Sequence, residues 1–218
     1  MLERLRDSCK ELFSLAYAML KSAGIKSSQW SFGGGTALML YYGHRLSKDI
    51  DIFLSDAQLI TYLTPRLNDF VSERIVDHTE MSYFLKLTIL SGEIDFILAP
   101  VLTKNPFTYE QYGSDYVRVE TPEEIIIKKI FYKAEQLKGR DIFDLATVIY
   151  HDKEVLLRNS DIIKAKVSTL LDRISMLERD YNTEVQKLDI LDISLRNFSA
   201  PDLVKDFLNQ FSQCGATI

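Results

Sequence analysis

The strongest structural signal in this chain of 218 residues is the segment 32–54, FGGGTALMLYYGHRLSKDIDIFL. Phe32 ends a short extended stretch, three glycines follow, and Thr36–Tyr42 has the composition of a short helix that closes at Gly43. Asp49–Leu54 then alternates polar residues with β-branched and other apolar residues, which is typical of a half-buried strand. The segment therefore predicts a strand, a glycine turn, a helix and a second strand.

Further strands are expected up to about residue 120. The pattern predicts them at Val71–His78, Tyr83–Leu90, Glu93–Leu98 and Tyr116–Val119. Ser91 and Gly92 separate the middle two strands, which predicts a hairpin turn at these residues. Apolar residues at three- and four-residue intervals from Leu2 to Ala23 predict an amphipathic helix before the first strand.

Helical patterns replace strand patterns after residue 120. Thr121, Pro122 and Glu124 have the spacing of a capping box at a helix start, with the proline at the first helical position. Helices are predicted at 121–137, 140–150, 160–180 and 199–211. The predicted fold class is therefore α+β, with one domain over residues 1–120 and a C-terminal helical bundle over residues 121–218.

Composition argues against several classes of protein. Hydrophobic residues make up 46% of the chain, and no stretch approaches the roughly 20 apolar residues of a membrane-spanning helix. We therefore expect a soluble, cytoplasmic protein with no membrane partner. The histidines are scattered, and Cys9 and Cys214 lie near opposite ends, which argues against a zinc or redox site. The formal net charge of -5 argues against a broad basic surface for nucleic acid, although a local basic patch is compatible with it.

Three aspartates carry the strongest chemical signal. Asp49 and Asp51 are two residues apart on a predicted strand, so their side chains leave the same face and can share one or two cations. Asp95 lies in another apolar strand, where an inward carboxylate is costly unless it is paired or bound to a metal. If these strands are neighbours, the three carboxylates form a site of hard oxygen ligands that suits Mg²⁺, with two ions possible. Many strand ends carry two solvated aspartates, so the D-x-D pair indicates a metal site only in this context.

The glycine run Gly33-Gly34-Gly35 is the second feature of this predicted site. Unhindered backbone N–H groups at a helix N-terminus form an anion site that suits phosphates. The Gly-Lys-Ser/Thr ending of a Walker loop and the G-x-G-x-x-G spacing of a dinucleotide fold are both missing, and a triple glycine is often only a tight turn. A phosphate site is favoured because one short helix and a turn can return the chain so that the glycines face Asp49 and Asp51.

These motifs resemble the signature of a known family. Segments 32–38 (FGGGTAL) and 45–52 (RLSKDIDI) are similar to the AbiEii/AbiGii-type toxin nucleotidyltransferases, a branch of the polymerase-β-like superfamily. Lys129, followed by residues 139–146 (GRDIFDLA), is similar to that family's second signature, K…R-D-x-x-D-L. The resemblance covers roughly residues 30–150 and implies a nucleotidyltransferase domain with a mixed sheet flanked by helices.

The resemblance also implies substrates and residue roles. Members of that family use a nucleoside triphosphate and Mg²⁺. They include toxins of bacterial toxin–antitoxin systems that nucleotidylate RNA such as tRNA. Carried over by position, Asp49 and Asp51 hold the metal, Asp95 is a looser match for the third carboxylate, and Lys129 neutralises the triphosphate. The predicted nucleotide-binding set is Gly33, Gly34, Gly35, Thr36, Arg45, Ser47, Lys48, Arg140, Asp141 and Asp144.

Two parts of the nucleotide-binding set have structural alternatives. Arg45, Ser47 and Lys48 either contact phosphate, with the guanidinium also able to brace a carboxylate, or form a solvated turn. Asp141 and Asp144 lie three residues apart on one helix face. They either take part in catalysis or cap the helix and position the nucleotidyl domain.

The sequence therefore predicts an enzyme that transfers a nucleoside monophosphate from ATP or another triphosphate to an acceptor hydroxyl, whose proton Asp95 accepts. The resemblance implies RNA, particularly a tRNA 3′ end, as the acceptor and a cognate antitoxin protein as a partner. Lys128, Lys133 and Lys138 are either a wet helix face or a contact for that RNA. Two other functions stay open: nucleotidylation of a small molecule such as an aminoglycoside, and a nucleotide-binding regulatory module without turnover.

Overall fold

The computed structural model of the chain describes residues 1–197 and 199–212, so Cys214 lies outside it. The chain divides into two compact units. The first contains Met1–Tyr41, Ser47–Val101 and Asn105–Thr121, and the second contains Tyr42–Leu46, Leu102–Lys104 and the residues from Pro122 onward. The domain boundary at residue 120 stays a prediction. A compact unit is not necessarily a domain that folds independently.

The first unit is built on a mixed sheet, which confirms the α+β class. In the part of the chain that the structure describes, the sheet has seven strands: β1 (Trp30–Gly33), β2 (Ile50–Leu54), β3 (Asp77–Met81), β4 (Phe84–Ile89), β5 (Gly92–Leu98), β6 (Phe107–Tyr112) and β7 (Asp115–Glu120). Their order across the sheet is β3-β4-β5-β2-β1-β7-β6. β2 pairs with β5 and β1 with β7 in parallel, and the other neighbours are antiparallel.

One face of this sheet forms the core of the first unit. Along β2, Ile50, Ile52 and Leu54 are buried, whereas Asp51 and Phe53 between them are partly exposed. The side chains of β4 alternate in the same way, as the two-residue period of a strand with one covered face requires. The two faces of the sheet therefore differ in character, and the aspartate lies on the open one.

Helices accompany the sheet in the first part of the chain. They are α1 (Asp7–Ser22), α2 (Gly34–Tyr42), α3 (Gln58–Leu63) and α4 (Asp69–Ser72), with short 3-10 helices at Leu2–Arg4 and Ser27–Gln29. α1 packs against β2 and β5 through a stripe of buried residues at three- and four-residue spacing. That stripe consists of Cys9, Leu12, Phe13, Ala16, Met19 and Leu20.

The sequence prediction for the sheet needs correction at one strand, at one strand that it lacks and at one turn. The strand expected at Val71–His78 is α4 followed by β3, and the Asn68 side chain begins α4 by accepting a hydrogen bond from the Val71 N–H at 3.2 Å. β6 is absent from the sequence prediction, because the prolines before it suggested a longer loop. The hairpin between β4 and β5 turns at Leu90 and Ser91, and Gly92 is already the first residue of β5.

The second unit is helical in its described residues. Its helices are α5 (Pro122–Lys133), α6 (Gly139–Leu157), α7 (Ser160–Lys164), α8 (Val167–Val185) and α9 (Ala200–Ser212), with 3-10 helices at Ala134–Gln136 and Ile193–Asn197. α6 packs against α5, α8 and α9, which confirms the C-terminal helical bundle. The helix expected at 160–180 is interrupted between α7 and α8. None of the described helices is both long and apolar enough to cross a membrane.

Glu124 links the start of α5 to another segment of the second unit. The helix begins at Pro122 as predicted, and the capping box of Thr121 and Glu124 stays a prediction. The Glu124 carboxylate accepts hydrogen bonds from the backbone N–H groups of Leu102 and Thr103 at 3.0 and 2.9 Å. Glu124 therefore ties the segment Leu102–Lys104 to α5 within the second unit.

Candidate active site

Asp51 and Asp95 lie side by side on the open face of the sheet. β2 and β5 are neighbouring parallel strands, with Ile50 paired to Ile94 and Asp51 paired to Asp95. Paired residues on adjacent strands point to the same face, so both carboxylates leave the face opposite the buried isoleucines. The strand order thus brings together two acidic residues that are far apart in sequence.

Asp95 has an unusual environment for an acidic side chain. The side chain is 17% exposed, and within the described residues its Oδ1 atom accepts no hydrogen bond. The Lys86 ammonium lies 3.4 Å from that oxygen, an ion pair without hydrogen-bond geometry. Burial, followed by the charge of Asp51, raises the pKa of Asp95 to about 6, whereas Lys86 acts in the opposite direction. A further cation near these carboxylates would reduce the repulsion between Asp51 and Asp95 and give the unsatisfied Asp95 oxygen a partner.

The glycine turn lies directly against the Asp51 carboxylate. Gly34 is the first residue of α2 and has a φ of +67°, a left-handed conformation that favours glycine. A Cβ atom at Gly34 would collide with the Asp51 carboxylate, and one at Gly33 would collide with the Glu120 carboxylate. The first N–H groups of a helix have no intrahelical acceptor, so the N-terminus of α2 offers donors close to Asp51. Gly35 follows as a buried residue of α2.

Thr36 and Ser47 hold the D-x-D segment in place. The hydroxyl of Thr36, which is fully buried, donates a hydrogen bond to the main-chain carbonyl of Asp49 at 2.5 Å. The main-chain carbonyl of Ser47 accepts a hydrogen bond from Cys9 Sγ at 3.4 Å. Lys48 is exposed. These contacts give Thr36 and the Ser47 backbone a positioning role and leave the Lys48 side chain accessible to a ligand.

The chemistry of Asp51 and Asp95 fits a hard divalent cation such as Mg²⁺. Both supply carboxylate oxygens, and the unsatisfied oxygen of Asp95 and its repulsion with Asp51 are features that a cation would compensate. Over residues 1–197 and 199–212, no three His, Cys, Asp or Glu side chains are grouped closely enough to hold a metal ion. The structure therefore brings two of the three predicted ligands together and does not place Asp49 with them in a three-residue group.

A cluster of buried charges occupies the second unit. Arg45 forms a two-pronged ion pair with Asp144, in which Nε donates to Oδ1 at 2.6 Å and Nη2 donates to Oδ2 at 2.7 Å. Lys129 Nζ donates to Asp141 Oδ1 and to Asp144 Oδ2, both at 2.6 Å. His44 Nε2 lies 2.9 Å from Asp144 Oδ1. Asp144, which is fully buried, is therefore the centre of the cluster.

The charges of this buried cluster compensate one another. Burial favours a higher pKa for Asp144, yet Lys129 and Arg45 hold it well below its ordinary value. Burial favours a lower pKa for Lys129, yet Asp141 and Asp144 raise it above its ordinary value. Burial lowers the pKa of His44, which favours its neutral form, whereas Asp144 acts in the opposite direction. Two cations and two carboxylates thus balance, which a buried set of charges requires.

The predicted site residues are divided between the two units. The first unit contains Gly33, Gly34, Gly35, Thr36, Ser47, Lys48, Asp49, Asp51 and Asp95. The second contains Arg45, Lys129, Arg140, Asp141 and Asp144. Arg140 is exposed, whereas the other four residues of the second group form ion pairs with one another. The roles of this second group toward a nucleotide stay predictions.

Three polar residues of these two sites are absent from the sequence prediction. Lys86 pairs with Asp95 across β4 and β5. The predicted turn at Ser91 and Gly92 would instead place Thr88 opposite Asp95, because moving the turn by one residue shifts every pair of the hairpin. Glu120 lies beside Gly33, and His44 contacts Asp144. No local pattern marks these two, because their positions depend on contacts between distant parts of the chain.

A comparison with protein families gives one match over most of the chain. The family model described as "Nucleotidyl transferase AbiEii toxin, Type IV TA system" matches residues 18–211. No curated protein sequence matches the chain significantly.

Two solved structures show a similar fold. JHP933 from Helicobacter pylori is 18% identical with a TM-score of 0.50, and the match covers 96% of this chain and 92% of that chain. A second protein from the same organism, described as a candidate nucleotidyltransferase, is 18% identical with a TM-score of 0.51, covering 96% of this chain and 95% of that chain. At this level of identity the similarity concerns the fold alone.

Proposed function

The chain belongs to the AbiEii nucleotidyltransferase toxin family, and we propose that it transfers a nucleoside monophosphate from a nucleoside triphosphate, such as ATP, to a hydroxyl group of RNA. In this proposal the reaction depends on Mg²⁺, the RNA is a tRNA modified at its 3′ end, and the protein is the toxin of a bacterial toxin–antitoxin pair. Nucleotidyl transfer follows from the family, whereas the acceptor and the metal are proposed.

The observation that carries the proposal is the pairing of Asp51 with Asp95 beside the glycine turn. The two carboxylates are in register on neighbouring strands, and Gly34 is close enough to Asp51 that a Cβ atom would collide with it. A phosphate group bound at the N-terminus of α2 would therefore lie next to the carboxylates that hold the cation. This arrangement supports the proposal, because transfer of a nucleotidyl group needs a place for phosphate next to a place for a cation.

The residues of the first unit have different roles in the proposed reaction. The backbone N–H groups at the start of α2 would orient the triphosphate. Asp51 and Asp95 would hold Mg²⁺, with Asp49 as the predicted third ligand. Bound Mg²⁺ would neutralise the negative charge that develops on the phosphoryl oxygens and on the leaving group. The acceptor oxygen forms a bond to the α-phosphorus, the bond from that phosphorus to the bridging oxygen breaks, and pyrophosphate leaves. Asp95 takes the proton of the acceptor hydroxyl.

Lys129 and Arg45 have a less direct role in this proposal. The Lys129 ammonium donates two of its three N–H groups to Asp141 and Asp144, both at 2.6 Å, so at most one remains for a triphosphate. Arg45 is likewise bound to Asp144 through two nitrogens. We propose that these ion pairs mainly hold α5, α6 and the segment Tyr42–Leu46 together within the second unit, and that Lys129 neutralises the triphosphate through its remaining N–H group.

The proposal is tested by following the α-phosphate of each nucleoside triphosphate. The purified protein is incubated with Mg²⁺ and each α-labelled triphosphate, together with total RNA, with an aminoglycoside or with no acceptor. We expect label in RNA, lost on chelation of Mg²⁺ and in Asp51→Asn, and kept in the control Asp69→Asn, which changes an exposed aspartate of the same unit.

The same experiment distinguishes the alternatives. Label in the aminoglycoside and none in RNA would identify a small molecule as the acceptor, an outcome with which the net charge of -5 is compatible. Triphosphate binding without release of pyrophosphate, whatever the acceptor, would indicate a regulatory module instead of an enzyme.

An antitoxin protein and a cytoplasmic location complete the proposal. Nucleoside triphosphates and tRNA are cytoplasmic, and the family is described as part of a type IV toxin–antitoxin system. Co-expression of the product of an adjacent gene should relieve any toxicity of the chain, and failure of every neighbouring gene to do so would contradict the antitoxin part of the proposal.

A further inference from the structure

Lys86 lies beside the candidate metal site, and the proposed reaction gives it no role. It is on β4, directly opposite Asp95 on β5. Its Nζ atom donates a hydrogen bond to Glu93 Oε2 at 2.5 Å and lies 3.4 Å from Asp95 Oδ1. The lysine side chain is 30% exposed, so its ammonium has access to both the carboxylates and the solvent.

The sheet face around Asp95 concentrates negative charge. Asp51, Asp95 and Glu93 place three carboxylates on neighbouring positions of β2 and β5. Like charges repel more strongly in a partly buried environment than in water, so a cation near Asp95 lowers the energy of this face. The Lys86 ammonium is the cation that the fold places there, at the oxygen of Asp95 that accepts no hydrogen bond within the described residues.

We propose that Lys86 is an internal counter-ion of the metal site, which compensates Asp95 when no divalent cation is bound. A divalent cation held by Asp51 and Asp95 would compete with the ammonium for the Asp95 carboxylate, and the ammonium would then lie nearer Glu93 and the solvent. This inference rests on the proposed function, because it needs a divalent cation at these aspartates. Lys86 therefore weakens cation binding and keeps it readily reversible.

The proposal is tested by binding of Mn²⁺ alone, without a nucleotide, measured by calorimetry and by the electron paramagnetic resonance signal of free Mn²⁺. In Lys86→Met the ammonium is lost and most of the side-chain length is kept, and we expect the affinity for Mn²⁺ to rise about tenfold because a competing positive charge is removed. In Lys86→Arg the charge is kept, and the affinity should stay within about twofold of wild type. Lys10→Met, at an exposed lysine of α1, is the matched control and should leave the affinity unchanged.

A second variant tests the same idea in the opposite direction. Glu93→Gln removes the alternative partner of Lys86 together with one negative charge of this face, and for both reasons Mn²⁺ should bind more weakly than in wild type. In the Lys86→Met background only the lost charge acts, so Glu93→Gln should reduce the affinity less there. Thermal unfolding gives an independent readout, because a ligand that binds the folded state raises the melting temperature. A fixed Mn²⁺ concentration should raise the melting temperature of Lys86→Met more than that of the wild type.

The outcomes separate this inference from the proposed function. Equal or weaker Mn²⁺ binding in Lys86→Met overturns the counter-ion role, and labelling of RNA by the wild type would still support the proposed reaction. If Lys86→Met does not fold, Glu93→Gln decides, and an affinity equal to or above that of wild type overturns the inference. No Mn²⁺ binding in the wild type or any variant overturns the inference together with the metal site.

Discussion

Asp95 is an acidic side chain whose pKa of about 6 lies close to neutral pH. A carboxylate can accept a proton or bind a cation only when it is ionised, and burial together with Asp51 shifts that ionisation upward. The same features that make the metal-free site unfavourable therefore make it ready to accept a proton from an attacking hydroxyl. The raised pKa of Asp95 should therefore be visible in the pH dependence of the reaction.

We expect kcat/KM for nucleotidyl transfer to fall as the pH decreases through about 6. Because the pKa of Asp95 is raised, the ionised form is lost at a higher pH than for an ordinary aspartate, and the rate should decrease about tenfold for each further pH unit. The measurement is the initial rate at limiting triphosphate and Mg²⁺ between pH 5 and pH 8. A rate that is constant down to pH 5 would contradict a role for Asp95 as proton acceptor.

Gly34 provides a second test at this scale, with Gly24 as its matched control. Both glycines have a positive φ, +67° and +69°, so alanine strains the backbone similarly at the two positions, by about 1 kcal/mol. A Cβ atom at Gly34 also collides with Asp51, whereas at Gly24 it meets nothing within 4 Å. We expect Gly34→Ala to lose roughly 100-fold or more in activity, because small displacements of reacting groups have effects of that order, and Gly24→Ala to stay near wild type. Similar activity in the two variants would show that contact between the turn and Asp51 is not needed.

At the scale of elements, Asp144 joins α6 to the short segment Tyr42–Leu46. Arg45 of that segment binds both carboxylate oxygens of Asp144. The backbone N–H of Leu46 donates to the Asp189 carbonyl at 2.8 Å, and the N–H of Leu191 donates to the His44 carbonyl at 3.0 Å. The segment Tyr42–Leu46 is thus held on two sides within the second unit. It ends three residues before Asp49, where the D-x-D motif begins.

We expect Asp144→Asn to destabilise the fold by about 3 kcal/mol, because it leaves Arg45 and Lys129 with too little negative charge in a buried place. The pKa of Asp144 is depressed in the folded state, so its contribution is present above the pKa of an unfolded aspartate. The contribution is lost as the pH falls toward the folded-state pKa, and the difference between variant and wild type should shrink in acid.

Urea unfolding at pH 7 and near pH 3 measures this effect, with Asp172→Asn as a control at an exposed aspartate of α8. Wild-type stability combined with lost activity in Asp144→Asn would instead indicate direct participation in the reaction, which is the catalytic alternative for this residue.

At the scale of the whole molecule, the acidic charge leaves few candidates for contact with RNA. The expected basic surface around Lys129 is reduced, because Lys128 is buried and forms an ion pair with Glu124 at 3.3 Å while Lys129 binds two aspartates. Lys133 and Lys138 are exposed and remain available. If RNA contacts only this surface, it makes few phosphate contacts there, and its binding should depend only weakly on salt.

Expression of the wild-type chain in bacteria should arrest growth if the proposed toxin function is right. Asp51→Ala should restore growth, because it removes a metal ligand from the open face of the sheet without creating a cavity in the core. Growth curves with induced expression, and immunoblots showing equal protein amounts, are the measurement. Asp69→Ala is the control that should stay toxic, and equal toxicity of the wild type and Asp51→Ala would exclude catalysis as the cause.

Much of the first unit was predictable because its signals are local. The alternation of Asp49–Leu54 and the glycines at the start of α2 lie within a few residues of the features they specify, and the strand and the helix are both confirmed. β6 was missed because Phe107–Tyr112 lies at the sheet edge and is half exposed, so its pattern of burial is weak. The sequence predicts one long helix at 160–180 because apolar periodicity continues through α7 and α8, and it gives no signal for the interruption between them.

The sequence by itself determined the family, the α+β class and the identity of the acidic and glycine residues, since residue spacing and backbone preference are properties of short segments. Only the tertiary structure decided which of them meet. The register of β2 against β5 places Asp51 beside Asp95, and the packing of the second unit buries Arg45 against Asp144. Strand order and burial depend on contacts between residues far apart in the chain, which no local pattern contains.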